Sequence, residues 1–322
     1  MDLSIVVPLL NEAESLVELI PLIHENVGPM GISYEVILVD DGSRDGSWQT
    51  IQELRETYPF VKGIRFQRNY GKSAALQTGF QATKGKVVIT MDADLQDSPT
   101  EIPELYRMIV EDGHDLVSGW KKKRYDPISK TIPTKLFNAV TRMVSGINNL
   151  HDFNCGLKAY KGEVVRSIEV FGEMHRYIPV IAKWAGYDKI EEKIVVHQAR
   201  KHGTTKFGGF NRFINGFLDL ITIVVTQKYL KKPMHFFGTW GSLFALLGAA
   251  NLLYLAYIRL IQGIWISHRI PALIFGAVML LTGIILFSTG LLAELIGRNS
   301  PYKNQYLVAE TLDLELKEGM HG

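Results

Sequence analysis

Residues 236–258 and 270–293 contain no Asp, Glu, Lys or Arg, and no other feature constrains the chain as tightly. Each run exceeds the roughly 20 residues with which a helix crosses a hydrocarbon core of about 30 Å. A buried core helix has a similar composition, but two such runs at this length favour a membrane hairpin. The connecting residues 259–269 suffice only for a tight turn, so both outer ends face one side. Lys228, Lys231 and Lys232 precede the hairpin, and Arg298 and Lys303 follow it. That excess of basic residues predicts cytoplasmic ends, although Arg259 and Arg269 in the turn weaken the bias. Gly238, Gly241, Ala245 and Gly248 would permit close helix packing, including that of a homo-oligomer.

Charge elsewhere is balanced. The 322 residues carry 35 basic and 33 acidic side chains, a net charge of +2 that is too even to point to a nucleic-acid binder. The single cysteine, Cys155, excludes an internal disulfide, fits a reducing compartment and reads as a small buried residue. Residues 3–10 are too short for a secretory h-region, lack a basic start and run into Asn11 and Glu12. The charged portion is therefore expected to stay in the cytoplasm.

Ahead of the hairpin, apolar β-branched runs alternate with helical periodicity. Residues 3–9, 34–39, 61–66 and the run from Val87 read as buried strands. A helix is predicted from Asn11, whose spacing to Glu14 resembles a capping box. Others are predicted through Trp48, Ile51, Leu54 and Tyr58, through Ala75, Leu76 and Phe80, and over 99–112 with Pro99 and Pro103 near its start. Such alternation predicts an α/β fold with a parallel sheet covered on both faces. Ligands bind such sheets beyond the carboxyl ends of the strands. Residues 8–12, 40–43 and 92–97 thus gather on one edge although they are far apart in sequence. Neither a dinucleotide fingerprint nor a Walker loop is present.

The run from Val87 ends in Asp92-Ala93-Asp94-Leu95-Gln96-Asp97. Carboxylates two residues apart are hard oxygen ligands able to share one Mg²⁺ or Mn²⁺, and such ions commonly hold nucleotide phosphates. Gln96 offers a carbonyl oxygen and Asp97 another charge. A lone Asp-x-Asp is more often a solvated acidic turn; the strand before it and the motifs around it favour the metal site.

Beyond Trp120 the pattern changes. A strand over 115–118 is followed by the basic run Lys121, Lys122, Lys123 and Arg124. A helix is expected over 134–145, a polar loop over 151–156, a short strand over 157–160, a helix over 176–185 and a strand over 189–197. That last strand delivers Arg200, Lys201, His202 and Lys206. A basic run is as often a solvated face or a contact to anionic lipid as a phosphate site. Residues 207–230 read as an amphipathic helix lying on a membrane, with Phe210, Phe213, Ile214, Phe217 and Leu218 among its apolar residues.

The pieces stand in a fixed order: Val-Val-Pro-Leu-Leu-Asn-Glu (6–12), Val-Asp-Asp-Gly-Ser (39–43), Arg-Asn-Tyr-Gly-Lys (68–72), Asp-Ala-Asp-Leu-Gln-Asp (92–97) and Arg-Lys-His-Gly-Thr-Thr-Lys (200–206). With a two-helix tail behind them, the chain resembles the family-2 glycosyltransferases of the GT-A fold. More narrowly, it resembles the polyprenyl-phosphate glycosyltransferases, the group of dolichyl-phosphate mannose synthases and bactoprenol glucosyltransferases. The resemblance implies a Rossmann-like, mostly parallel sheet. It implies that Pro8, Asn11, Glu12, Asp40 and Asp41, with Lys72, Asp92 and Ala93, bind a nucleotide-sugar. It also implies that Asp92, Asp94 and Gln96 coordinate Mg²⁺ or Mn²⁺, and that Asp94 and Asp152 are the catalytic carboxylates. Lys121, Arg124, Arg200 and Lys206 would hold phosphates of donor and acceptor, Arg by a bidentate fork and Lys as a point charge. The loop His151-Asp152-Phe153-Asn154-Cys155-Gly156 departs from the family's usual Ser-Gly or Gly-Asp form. Asp152 in it would serve as base or sugar ligand. A lipid monophosphate has a second pKa of roughly 6, is already anionic at neutral pH and need not lose a proton.

The expected protein is an inverting, metal-dependent transferase. It would move one sugar from a UDP-sugar, UDP-glucose by default, to undecaprenyl or another polyprenyl phosphate for cell-envelope glycan modification. Residues 1–206 would form the catalytic domain, 207–233 juxtamembrane helices, 234–296 the hairpin and 297–322 a cytoplasmic tail, all at the inner membrane. One alternative is a processive polysaccharide synthase, whose Gln-x-x-Arg-Trp motif is absent. Another is a catalytically silent membrane adaptor, against which intact Asp92, Asp94 and Lys206 count.

Overall fold

A computed structural model describes residues 1–122, 138–143, 145–172, 174–196, 198 and 233–298. They fall into two compact units, one holding the described residues up to 198 and the other residues 233–298.

In the first unit, strands β1 (Leu3–Leu9), β2 (Tyr34–Asp40), β3 (Val61–Arg65) and β4 (Val87–Thr90) alternate with helices α1 (Ala13–Val27), α2 (Ser47–Thr57) and α3 (Lys72–Ala82). Helix α4 (Ile102–Val110) follows a 3-10 turn at Pro99–Glu101. Then come β5 (Leu116–Trp120), β6 (Lys158–Lys161), α5 (Gly162–Ser167), α6 (Ile178–Trp184) and β7 (Ile190–Ile194). The strands form one sheet in the order β3-β2-β1-β4-β6-β5-β7. Among them only β6 runs antiparallel, between β4 and β5. The remaining pairings are parallel, so the carboxyl ends of β1, β2, β4 and β5 share an edge.

Strand β1 lies inside the sheet, between β2 and β4, and is buried on both faces. Leu3, Ile5 and Val7 pack with Leu16, Leu19 and Ile20 of α1 and Ile102 and Leu105 of α4. Val6 on the other face lies so close to Gly79 of α3 that a Cβ there would run into its side chain. Each such fully buried Leu or Ile contributes roughly 1.5–3 kcal/mol. The expected capping box at Asn11 is not what forms. Helix α1 starts at Ala13, its N-cap is Glu12, and that residue makes no side-chain capping bond. Asn11 sits at φ 52, a left-handed conformation that its short polar side chain tolerates, and it bonds to the next loop instead.

In the second unit, α7 (Thr239–Leu260) and α8 (Ile270–Arg298) pack side by side. Their apolar spans, Met234–Leu260 and Ile270–Ile296, are 27 residues each and long and apolar enough to cross a membrane. Among the described residues none covers their outer faces: Leu246 and Leu253 are about 70 % exposed. The inner faces meet through glycine. A Cβ on Gly241 would stand 2.7 Å from the Phe287 nitrogen and 2.8 Å from the Gly283 carbonyl. Gly248 meets α8 at Gly276 and Leu280 in the same way. The small-residue face of the first crossing is thus filled within the hairpin. Trp240 lies near one end of the hairpin and Trp265, with the Arg259 guanidinium 4.1 Å above its ring, near the other.

Candidate active site

The loops leaving β1 and β2 are tied together before any ligand enters. The Asn11 amide donates to Ser43 Oγ at 2.8 Å, the Asn11 Oδ1 accepts from the Arg44 amide at 2.8 Å, and the Glu12 amide donates to Ser47 Oγ. Pro8 sits beside Val39 in the register. Asp40 is fully buried; its Oδ1 accepts from the Ser43 amide, while among the described residues its Oδ2 has no hydrogen-bond donor and only Arg65 Nε, 3.8 Å away, as a counter-charge. Gly42 holds φ 76, and a Cβ on it would fall 2.6 Å from the Arg68 carbonyl carbon, so this turn packs directly on the next one.

Asp41 builds that next turn. Its two oxygens accept from the amides of Tyr70 and Gly71 at 2.7 and 3.0 Å. Burial, together with the neighbouring Asp40 charge, raises its pKa against those two amides. The turn opens α3 with Lys72 as its first residue, and Lys72 Nζ reaches Asp92 Oδ1 at 2.5 Å. Burial opposes ionisation of Asp92, but Lys72, Lys121 and Lys158 outweigh it and hold its pKa at about 2. Asp94 Oδ1 accepts from the Gln96 amide at 3.2 Å, Leu95 between them takes φ 60, and Ala93 is buried. The Gln96 carbonyl accepts from the Gln198 amide.

Two expected site residues, Lys121 and Asp152, are engaged with neighbouring groups. Lys121 Nζ lies 2.7 Å from Asp97, which is fully buried, and only 14 % of the Lys121 side chain is exposed. Burial lowers the pKa of Lys121, yet Asp97 and its other anionic neighbours raise it overall. Asp152 is buried, its Oδ1 accepting from the Asn154 amide and its carbonyl from the Ser118 hydroxyl. His151 stacks on Trp120, centroids 4.3 Å apart, and is held by Glu192. Arg124, Arg200 and Lys206 lie outside the described residues, as do the segment 199–232 and the chain beyond 298.

The sequence barely signals the wall behind Asp92. A Cβ on Gly156 would lie 2.6 Å from the Asp92 carboxylate, so the 151–156 loop passes hard against that side chain. Thr90 Oγ1 donates to the Gly156 carbonyl, and Lys158 Nζ donates to the Cys155 carbonyl. A cavity bordered by Lys72, Asp92, Asn154, Lys158 and His175 lies there. Ser73 Oγ accepts the His175 amide proton at 3.1 Å and lies 3.0 Å from the His175 Nδ1. Burial first, then Lys72, pushes the His175 pKa well below the usual value, which keeps the imidazole neutral. Burial also lowers the pKa of Lys158 and raises that of Cys155 to about 12, so the thiol is inert. A lysine inside the apolar run 157–160 is the one sequence sign of this wall; His175 has none.

Among the described residues no three carboxylate, histidine or cysteine groups converge as a metal cage. Two carboxylates at a sheet edge fit Mg²⁺ or Mn²⁺ all the same, because such ions bind through one or two carboxylates and take their remaining oxygens from phosphates and water.

A model of the family described as Glycosyl transferase family 2 matches residues 4–169. The chain is 36 % identical over 306 residues to a dodecaprenyl-phosphate galacturonate synthase of Rhizobium johnstonii, covering 92 % of this chain and 88 % of that protein. It is 35 % identical over 297 residues to an undecaprenyl-phosphate 4-deoxy-4-formamido-L-arabinose transferase of Pseudomonas savastanoi, covering 92 % and 85 %. The fold is similar to that of mannosyl-3-phosphoglycerate synthase from Rubrobacter xylanophilus, with TM-score 0.57, 15 % identity and 71 % and 75 % coverage. It is likewise similar to glucosyl-3-phosphoglycerate synthase from Mycobacterium tuberculosis in complex with Mn²⁺, UDP-glucose and phosphoglyceric acid, with TM-score 0.52, 18 % identity and 70 % and 79 % coverage.

Proposed function

Because the chain belongs to glycosyl transferase family 2 and is a glycosyltransferase, we propose that it moves one sugar from a UDP-sugar to a polyprenyl phosphate at the cytoplasmic face of a bacterial inner membrane. The two relatives above are by name synthases or transferases acting on dodecaprenyl and undecaprenyl phosphate, and the apolar hairpin would keep the enzyme beside such a lipid. The observation that carries the reading is Asp92, held ionised beside Asp94 at the carboxyl edge of the sheet with Lys72 against it.

In this reading Asp40, Asn11 and Glu12 receive the nucleoside, the orphaned Asp40 Oδ2 accepting from a base or ribose donor. Asp92 and Asp94, with Gln96, would hold Mg²⁺ or Mn²⁺, which supplies charge neutralisation for the departing diphosphate. Lys72 supplies a second cation to the same phosphates. An oxygen of the acceptor phosphate attacks the anomeric carbon opposite the diphosphate, the bond from that carbon to the diphosphate breaks, and configuration inverts. No proton has to leave the acceptor. Asp152 then serves to hold the 151–156 loop against Asp92, in keeping with its bonds to Asn154 and Ser118.

Detergent-purified protein incubated with undecaprenyl phosphate, Mn²⁺ or Mg²⁺ and radiolabelled UDP- and GDP-sugars should pass label into the organic phase with one donor. Asp94→Asn should abolish it. Folded protein that transfers no label from any donor would sink the reading.

A further inference from the structure

His151 has no part in the reaction as described, yet it is built as an oriented imidazole. Glu192 of β7, its side chain 9 % exposed, accepts the His151 amide on Oε2 at 2.6 Å and meets Nδ1 with Oε1 at 2.5 Å. An ionised carboxylate only accepts, so the shared proton belongs to Nδ1. The ring lies flat on Trp120, centroids 4.3 Å apart at 13°. The Asn138 side-chain amide donates to the His151 carbonyl at 2.7 Å, and Arg142 donates to the Leu150 carbonyl before it. Side chain, ring face and backbone are thus all fixed. Nε2 is what stays open: no hydrogen bond among the described residues uses it, and the His151 side chain is 52 % exposed. A carboxylate that orients an imidazole and leaves its second nitrogen open is the pairing by which proteins bind and move protons.

The strand order decides which substrate can reach it. Along the carboxyl edge the sheet runs β2, β1, β4, β6, β5, β7. On the proposed reading the loops after β2 and β1 hold the nucleoside, and Asp92 after β4 marks the diphosphate. The anomeric carbon is attacked opposite the diphosphate, so the acceptor phosphate stands on the far side of the sugar, toward β5. Trp120 is the last residue of β5. Lys121 beside it is near enough to Asp92 that, against burial and after Lys72, its charge helps to keep that carboxylate ionised. Lys122 Nζ lies 5.6 Å from the Trp120 ring centroid. The imidazole therefore stands at the acceptor end of the row, on an aromatic platform it shares with a lysine.

We propose that His151 is an acceptor-binding residue whose Nε2 holds the phosphate monoester of the lipid in its attacking, dianionic form. The proposal rests on the polyprenyl-phosphate reading above. A monoanionic phosphate gives its proton to Nε2, and the imidazolium, balanced by Glu192, donates that N–H back to the dianion as a charge-assisted hydrogen bond. An oxygen of the dianion then attacks without further deprotonation, and the nucleoside diphosphate leaves with the electron pair of the broken bond. The acceptor is now a phosphodiester with one charge, the imidazolium gives its proton to solvent, and the product is released.

Two measurements on the full-length, detergent-solubilised protein test this. Diethylpyrocarbonate acylates open imidazole nitrogens, and peptide mass spectrometry reads its addition at His151 among the nine histidines. Undecaprenyl phosphate should protect His151, whereas UDP with Mn²⁺ and phosphatidylglycerol, a phosphodiester, should not. An imidazole that the reagent cannot reach without lipid would overturn the proposal. So would protection absent with undecaprenyl phosphate, or equally strong with either control. His151→Asn keeps a nitrogen donor for Glu192 where Nδ1 stood and removes Nε2. It should raise the KM for undecaprenyl phosphate about tenfold or more, as expected for a lost charge-assisted hydrogen bond, with calorimetric affinity for UDP and Mn²⁺ within about twofold. An unchanged acceptor KM would overturn the proposal, as would equal weakening of UDP, since the imidazole would then only clip its loop to β7. Should the variant not fold, protection in the wild type decides. Wild-type protein that neither binds UDP nor transfers sugar would overturn the transferase reading, and the proposal with it.

Discussion

Replacing Gly156 with alanine perturbs the site at its tightest point. A Cβ there falls 2.6 Å from Cγ and Oδ2 of Asp92 and 2.7 Å from Oδ1, whereas ordinary contacts begin at 3.4 Å. The carboxylate must therefore retreat by about 0.8 Å. Gly156 does not have a positive φ, so alanine is itself unstrained. The Asp92 side chain is 32 % exposed and can swing outward, at the expense of its pair with Lys72. A pair this exposed is worth at most about 1 kcal/mol, or about 2–4 °C in Tm for a unit of this size. The chemical consequence is larger, because a misplacement of about 1 Å at a reacting centre costs about 100-fold in rate, or roughly 2.7 kcal/mol of barrier. Initial rates of sugar transfer to polyprenyl phosphate, measured beside thermal unfolding of the same preparation, read both quantities. A variant that melts like the wild type and transfers within about threefold of its rate would refute the placement of Asp92 at the reacting centre.

Three further outcomes follow from single contacts. Asp41→Asn turns one amide acceptor into a donor facing the Tyr70 or Gly71 N–H, which should cost about 1–3 kcal/mol of stability and raise the donor KM as the Lys72 turn loosens; an unchanged Tm would count against the staple. Burial raises the pKa of Glu35, but Lys62, Ser4 and the Lys84 amide outweigh it and lower it overall. Its stabilisation is thus complete at neutral pH and is lost as pH falls from about 4.5 through the lowered native value, so Glu35→Gln should flatten the acid limb of a Tm–pH curve. Gly283→Leu has no room, since even a Cβ would stand 2.6 Å from the Gly241 carbonyl; it should split the hairpin and aggregate in detergent, whereas Leu246→Ala on the uncovered face should elute like the wild type.

The parallel half of the sheet is legible in the sequence because its strands are buried on both faces. Residues 3–9 read as a strand and form one, and the runs at 34–39 and 61–66 match β2 and β3 to within one residue at an end. Strand periodicity carries no such information about pairing between distant polar groups. The spacing of Asn11 and Glu14 fits a capping box, but Ser43 and Arg44, more than 30 positions away, compete for Asn11 and win. The loop after β4 makes the same point about function. Asp92 and Asp97 stand in one acidic motif, and nothing local separates them. Lys72, 20 positions earlier, reaches Asp92 in a pair about one-third exposed on both sides, whereas Lys121, 24 positions later, closes Asp97 into a pair with 14 % and 0 % exposure. A partly solvated pair can exchange its lysine for a cation and a phosphate at little cost, because water already screens it. A buried pair cannot, since removing either partner leaves an uncompensated charge worth several kcal/mol. Which carboxylates of the motif are open to a ligand is therefore decided by the depth at which each lysine meets them.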